Sequence, residues 1–321
     1  MINETASALI TIAIPTYNRA GTYLPIALES ARNQTYENIE IIVADNCSGD
    51  HTAELVQGLA DPRIRYFRHE INIGANPNFN FCLEKAKGSY FQLLQDDDLI
   101  DPDFIGKCID AAAEKKGETG IIRTGARLID GEGRAEAEVP NIVTGPEMED
   151  LFRDWFENRT ALYLCSTLFN TRRLRELGGF NSSKNLFQDV AAQFRLAAAF
   201  GRVDVPQVKA SFRKHPAELT FAARVRDWCE DSVELIELID QLSGAGKKEI
   251  MKKARYFFSR VNYNRALKIA SPGGRLPAMF SVYRRFGFTC PPPVHALLPL
   301  DGQFAKKLFR IKRKVFHALR F

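Results

Sequence analysis

The stretch that decides the fold runs from Tyr90 to Phe104 and reads YFQLLQDDDLIDPDF. Its first residues form a short apolar run rich in aromatic side chains, which predicts a buried β-strand. The strand leads directly into three consecutive carboxylates, Asp96, Asp97 and Asp98. Such carboxylates repel one another, and hard cations such as Mg²⁺ or Mn²⁺ bind carboxylate oxygens together with substrate phosphates. On the tripeptide alone, a solvated acidic turn that caps the next helix is the alternative.

Strands and helices alternate along the first half of the chain. Apolar runs at residues 8–14, 39–44 and 64–68 predict strands, and each is followed by a polar turn and a helical segment. The strand that carries the aspartates is the fourth, and a helix is predicted over Pro102–Lys116. This alternation predicts an α/β fold with a parallel sheet, in which ligands bind at the carboxyl ends of the strands. The polar turns should therefore converge on one site.

Several classes of protein are excluded or disfavoured by what the sequence lacks. No G-x-G-x-x-G follows the first strand and no G-x-x-x-x-G-K-[ST] occurs, so neither a dinucleotide fingerprint nor a P-loop is present. The six cysteines are scattered, which argues against a zinc site. No apolar run approaches the roughly 20 residues that span a bilayer, and the N-terminus lacks the basic start of a signal peptide, so a cytoplasmic location is expected.

Four motifs occur in order along the chain: IAIPTYNR, IIVADNCSGDHT, NIGANPNFN and GSYFQLLQDDDLIDPDF. Together they resemble the nucleotide-sugar half of the inverting family 2 glycosyltransferases with the GT-A fold, and the resemblance covers roughly residues 8–215. It implies a Rossmann-like, mostly parallel sheet flanked by helices. It also implies transfer of a sugar from a nucleotide-sugar donor to a hydroxyl acceptor.

The resemblance assigns donor-side roles by position. The implied donor-binding residues are Pro15, Thr16, Tyr17, Asp45, Asn72 and Asp96. Asp97 is the implied ligand of Mg²⁺ or Mn²⁺, and Asp96 lies near ribose and metal. The sequence equally permits a register in which Asp96 and Asp98 form the outer pair. Residue 44 is Ala where many members have a second Asp.

The acceptor side carries the candidate general base. Gly178-Gly179-Phe180 and the later Gln188-Asp189 pair resemble the family's G-G-F…E-D segment, in which the Asp is the catalytic base. The resemblance therefore makes Asp189 the candidate, although Gln188 replaces the usual Glu. The alternative is a first-turn acid favoured only by the helix dipole. His215 is a further metal-site candidate, because a neutral imidazole can ligate a cation and a protonated one can balance phosphate.

The chain is expected to divide into residues 1–220, a GT-A domain, and residues 221–321, a helical C-terminal region. Within the first part, residues 1–117 should bind the nucleotide sugar and residues 118–220 the acceptor. Seven of the 44 bases lie in residues 303–321, which contain no acid, so the rest of the chain is slightly acidic. This distribution argues against nucleic-acid binding.

Residues 303–321 combine these bases with a helical stripe of bulky apolar side chains. A basic amphipathic helix of this kind suits an anionic membrane surface, which predicts a peripheral protein on the inner face of the membrane. The alternative is a helix docked on the protein core. Sedimentation with anionic liposomes, with and without these residues, separates the two hypotheses.

The function favoured by the sequence is an inverting, metal-dependent glycosyltransferase that acts on a glycan or glycolipid acceptor. A sugar nucleotidyltransferase is one alternative, but it should carry a Gly-rich basic loop after the first strand, and the turn PTYNRAG has one Gly. A catalytically silent, membrane-associated protein that binds nucleotide sugars is another, supported by Ala44 and Gln188.

Overall fold

The structure is a computed structural model that describes residues 8–115, 118–215, 223–269, 272–288 and 290–292. The predicted amphipathic helix at 303–321 lies outside these residues. Within them, no helix has the length and apolar character required to cross a membrane.

The first half of the described chain forms a parallel sheet with the strand order β3-β2-β1-β4. Its strands are β1 Ile10–Thr16, β2 Ile39–Asp45, β3 Ile64–Arg68 and β4 Tyr90–Leu93. The intervening helices are α1 Leu24–Arg32, α2 Thr52–Gly58 and α3 Ala75–Lys85. Every residue of β1, β2 and β4 is buried, as expected for strands covered on both faces. The predicted alternation is confirmed.

The second half continues the sheet as β4-β8-β6-β9-β5, with β7 paired to β6. Its strands are β5 Leu99–Ile100, β6 Ile121–Ile129, β7 Ala135–Val139, β8 Thr167–Asn170 and β9 Arg202–Arg213. Its helices are α4 Phe104–Glu114, α5 Met148–Phe156, α6 Thr171–Glu176 and α7 Gln188–Phe200. Because β8 runs antiparallel to both neighbours, β6 and β9 point the same way as β1–β4. The sheet is therefore mixed but mostly parallel, and the expected fold class is confirmed.

The sequence pattern predicts that the strand beginning at Arg202 ends at Val205, just before Pro206. In the structure, β9 continues to Arg213. The ladder between β6 and β9 is irregular where it passes this proline, and it resumes at Val208. A bulge of this kind accommodates a residue that cannot donate a ladder hydrogen bond. The extension brings Arg213 and His215 to the carboxyl end of the sheet.

The C-terminal region consists of α8 Val225–Leu242, α9 Lys247–Leu267 and α10 Pro272–Arg285. The sequence predicts a break at residues 271–274, but Pro272 is the first residue of α10, a position that suits proline. These helices share a core with the preceding domain. Phe258 of α9 is fully buried and its ring lies 5.7 Å from that of Trp155 in α5 and 5.5 Å from that of Phe187.

We predict that Phe258→Ala lowers the free energy of unfolding of the whole chain by about 3–5 kcal/mol, because it removes a buried ring that joins two parts of the core. Urea denaturation should show a single transition at lower midpoint. Tyr256→Ala is the matched control, since this ring of the same helix is 58% exposed and its loss should cost little. Two separate transitions, with only one sensitive to Phe258, would contradict the shared core.

Candidate active site

A cleft of about 1240 Å³ opens at the carboxyl ends of the parallel strands. The turns after β1, β2 and β4, the start of α3 and the start of α7 contribute to its walls, as do residues of α8, α9 and α10. Ligands of open parallel sheets bind at this edge, where the strand order reverses. The polar turns after β1, β2 and β4 therefore meet in one cleft, as the sequence predicts.

Asp96 and Asp97 both line the cleft, and each is held by a different partner. Asp96 accepts a hydrogen bond from the Thr16 hydroxyl at 2.7 Å, across the neighbouring strands β4 and β1. Asp97 Oδ2 lies 2.9 Å from Nε2 of His215. Burial and the adjacent negative charge of Asp97 raise the pKa of the Asp96 carboxyl to about 7.

Asp98, in contrast, does not line the cleft. It is fully buried and accepts a hydrogen bond from the backbone N–H of Arg213 at 2.9 Å, and burial raises its pKa well above the usual value. The Arg213 side chain donates from Nε to the carbonyl of Asp97 at 2.8 Å and packs 4.8 Å from the ring centre of Tyr23. The end of β9 is thereby fastened to the turn after β4. Asp96 and Asp97, rather than Asp96 and Asp98, face the cleft together.

The side chains at this point suit a divalent cation that substrate phosphates would help to hold. Among the described residues, no group of three or more His, Cys, Asp and Glu side chains could bind a metal by itself. Asp97 could supply an oxygen ligand, with Asp96 adjacent. His215 is buried behind Asp97 and is not among the residues that line the cleft, and its ring could supply a nitrogen ligand. Mg²⁺ sites commonly use one or two carboxylates and take the remaining ligands from phosphates and water.

The residues expected to bind the nucleotide-sugar donor divide into two groups. Pro15, Thr16, Tyr17 and Asn72 line the cleft, whereas Asp45 is fully buried and does not. The role of Asp45 in nucleoside binding stays a prediction.

The carboxylate of Asp45 already has close partners. It accepts hydrogen bonds from the Tyr66 hydroxyl at 2.5 Å and from the Ser48 backbone at 2.8 Å, and Arg68 lies 3.6 Å away. The next residue, Asn46, lines the cleft and donates to Asn72 Oδ1 at 2.9 Å. Asn46 is therefore a cleft residue that the sequence analysis missed, although it belongs to the same polar turn.

Asp189 lies in the first turn of α7 and lines the same cleft as Asp96 and Asp97. Burial raises the pKa of its carboxyl to about 6, while hydrogen bonds from its own backbone N–H and that of Val190 oppose the shift. The neighbouring Gln188 is buried, and its Oε1 has no hydrogen-bond partner among the described residues. The geometry thus places a carboxyl with a pKa near neutrality at the helix start.

Asp231 of α8 is an important residue that the sequence analysis missed. It is 1% exposed and accepts five hydrogen bonds of 2.7–3.2 Å from the loop that precedes Asp189. The donors are the hydroxyls of Ser182 and Ser183 and the backbone N–H groups of Lys184, Leu186 and Phe187. A signal existed, because helical spacing places Asp231 on the face of the buried Trp228 and Leu235.

We predict that Asp231→Ala lowers the free energy of unfolding by about 3 kcal/mol or more, because it leaves several loop donors without an acceptor. Urea denaturation measures the effect. Glu234→Gln is the control, since Glu234 accepts one exposed hydrogen bond from the same loop and its change should cost less than about 1 kcal/mol. Equal effects of the two substitutions would show that Asp231 does not hold the loop.

The proteins that the chain resembles are glycosyltransferases. Residues 11–167 match the sequence profile of Glycosyl transferase family 2. An uncharacterized glycosyltransferase of Rickettsia felis is 32% identical over 196 residues, which are 59% of this chain and 31% of that protein. The chain thus spans less than a third of the length of that relative, and its matches to others cover 19–40% of theirs.

Two solved structures have a similar fold. S. aureus TarS 1–349 in complex with UDP-GlcNAc superposes with a TM-score of 0.65 at 17% identity, over 89% of this chain and 82% of that one. The mannosyltransferase PcManGT from Pyrobaculum calidifontis, in complex with GDP-Man and Mn²⁺, gives 0.57 at 17% identity, over 86% and 75%. At this identity the likeness establishes the fold alone.

Proposed function

We propose that the chain, whose residues 11–167 match the profile of Glycosyl transferase family 2, is an inverting glycosyltransferase. It moves a sugar from a nucleotide-sugar donor to a hydroxyl group of a glycan or glycolipid acceptor. The observation that carries the proposal is the meeting of Asp96, Asp97 and Asp189 in one cleft, since they come from a strand end and a distant helix start.

The donor lies across the strand ends in this proposal. The nucleoside contacts Tyr17, Asn46 and Asn72, and the diphosphate points towards Asp97 and His215. These two residues, with Asp96 beside them, would hold Mg²⁺ or Mn²⁺. A divalent cation bound there stabilises the charge that develops on the leaving nucleoside diphosphate. The mannosyltransferase PcManGT, which has a similar fold, was solved in complex with GDP-Man and Mn²⁺, and this supports a nucleotide sugar and a divalent cation as the ligands.

Asp189 acts as the general base. Its carboxylate takes the proton of the acceptor hydroxyl as that oxygen attacks the anomeric carbon, and the bond from this carbon to the phosphate oxygen breaks with inversion. The bonding electrons leave with the nucleoside diphosphate. A pKa of about 6 suits this role, because the group is ionised at neutral pH and still retains basicity. Asp231 fixes the loop that leads to it.

The acceptor side of the proposal includes the membrane. The bases and apolar stripe of residues 303–321 support contact with an anionic surface, where lipid-linked acceptors are found. This part of the proposal rests on sequence, because those residues lie outside the described structure.

A donor and acceptor screen tests the activity itself. The chain is incubated with nucleotide sugars and Mn²⁺ over a panel of glycan and glycolipid acceptors, and products are detected by mass spectrometry. Release of pyrophosphate from a nucleoside triphosphate and a sugar 1-phosphate would identify a nucleotidyltransferase instead. Nucleotide-sugar binding without turnover on any acceptor would identify a silent binding protein.

We predict that Asp97→Ala abolishes transfer and Mn²⁺-dependent binding of nucleoside diphosphates while the fold is retained, because the carboxylate nearest His215 is lost. Isothermal titration with UDP and GDP, with and without Mn²⁺, measures binding, and circular dichroism checks the fold. Asp110→Ala removes an exposed carboxylate outside the cleft and should leave binding unchanged. Unchanged Mn²⁺ dependence in Asp97→Ala would remove Asp97 from the metal site.

We predict that Asp189→Asn lowers turnover by roughly 10²–10⁴-fold with little change in donor affinity, the usual effect of losing a general base. The dependence on pH should change as well. In the unmodified chain, kcat/KM should fall below about pH 6, because protonation of Asp189 removes the base. This acidic limb should be absent from the variant. A limb of the same shape in both proteins would place the base elsewhere, and loss of donor binding would make Asp189 a donor ligand.

A further inference from the structure

Charged side chains line two parts of the cleft, the turns at the strand ends and the helical C-terminal wall. The acidic residues Asp96, Asp97 and Asp189 belong to the β4 turn and to α7, and the bases Arg19 and Arg213 line the cleft near the strand ends as well. The described residues of the C-terminal region that line it contribute four bases and no acid: Arg224, Arg226, Arg265 and Lys268. This wall belongs to α8, α9 and their flanking residues, whereas the donor is assigned to the strand ends.

Two of these bases form ion pairs with acids of α8. Arg224 pairs with Asp227 at 2.8 Å, and Arg226 pairs with Glu230 at 3.0 Å. Glu230 also contacts Lys184 at 3.2 Å and Arg285 at 2.7 Å, so it is shared among three bases. Both arginines thus have a carboxylate within ion-pair distance.

Arg265 of α9 differs from both. No Asp or Glu of the described residues lies within ion-pair distance of it, and its Nη1 atom is buried without a hydrogen-bond partner. Burial lowers the pKa of the guanidinium to about 10, so the group remains charged at neutral pH. A buried charge with unsatisfied donors is unfavourable unless another group compensates it.

The guanidinium is held in place by an aromatic ring. Its central carbon lies 3.5 Å from the ring centre of Trp228, which is 7% exposed and also packs against Phe187. Stacking fixes the plane of the guanidinium and leaves its N–H edge for in-plane acceptors. Planar oxyanions such as carboxylate, and phosphate oxygens, match this edge in a bidentate manner.

We propose that Arg265, stacked on Trp228, is an anion subsite at the acceptor end of the cleft that binds a phosphate or carboxylate group carried by the acceptor. This inference rests on the proposed glycosyltransferase function. It assigns the acceptor to a chemical class: an anionic glycan or a glycan linked to a lipid through phosphate. The donor diphosphate is assigned to the strand ends, near Asp97.

Anion binding is tested without any knowledge of the donor. Thermal unfolding of the full chain is followed in inorganic phosphate, in acetate and in chloride at matched ionic strength, with EDTA present. Phosphate or acetate should raise the midpoint of the unmodified chain by mass action, and Arg265→Met should lose most of that rise. Arg260→Met is the matched control, because Arg260 lies on the same helix outside the cleft and the change removes the same charge.

An equal rise in Arg265→Met and the unmodified chain would overturn the subsite, and so would the absence of a rise in all three proteins. A response to phosphate alone would assign a phosphate-bearing acceptor, and a response to both anions a site that also takes carboxylates. Arg265→Gln, which keeps a polar side chain, provides the same comparison where Arg265→Met does not fold.

Selectivity for the acceptor then separates this inference from the proposed function. The ratio of kcat/KM for an anionic acceptor to that for its neutral counterpart should fall at least about tenfold in Arg265→Met and stay unchanged in Arg260→Met. Transfer with the same ratio in both variants would overturn the subsite and retain the glycosyltransferase. Arg265-dependent phosphate binding without transfer to any acceptor would retain the subsite and overturn the function.

Discussion

Three carboxylates in succession at the end of a buried strand can coexist only because each faces a different partner. In residues 96–98, the first carboxylate is bound by Thr16, the second lies against His215, and the third is bound by the backbone of Arg213. These partners come from β1 and from the end of β9. The acidic turn therefore joins the parallel strands β1–β4 to the end of β9, and the shape of the cleft depends on the hydrogen bonds that these carboxylates accept.

The parts of the fold that the sequence predicts are those whose pattern is local. Strands β1 and β2 are continuous apolar runs, and their parallel pairing follows from the helices between them. Strand β5 is only Leu99–Ile100 and exists through its pairing with Ala210 and Ser211, far along the chain. Strand β7 is mostly exposed and reads AEAEV, so no apolar run marks it. A single sequence does not reveal the pairing of strands that are far apart in the chain.

The same distinction applies to the site. The resemblance to the family's motifs singles out Asp97 and Asp189, and both residues line one cleft. It does not tell which acid faces the cleft and which is enclosed by donors. Asp45 accepts hydrogen bonds from the Ser48 backbone and from the Tyr66 hydroxyl of β3, and the loop donors that surround Asp231 lie 44–49 residues away in sequence. Burial of a charge is decided by such partners, which local patterns do not contain.

The separation of the acidic turn from its partners also has a consequence for synthesis on the ribosome. His215 follows Asp97 by 118 positions, and Arg213 follows Asp98 by 115. At about 5–20 residues per second, the interval between their appearances is roughly 6–24 s. During that interval β1–β4 can assemble, but two of the three carboxylates lack the groups that hold them in the finished protein. Until β9 has been synthesised, only water, protons or dissolved cations can stabilise these two carboxylates. Pairing of β9 with the sheet then brings in the groups that hold them.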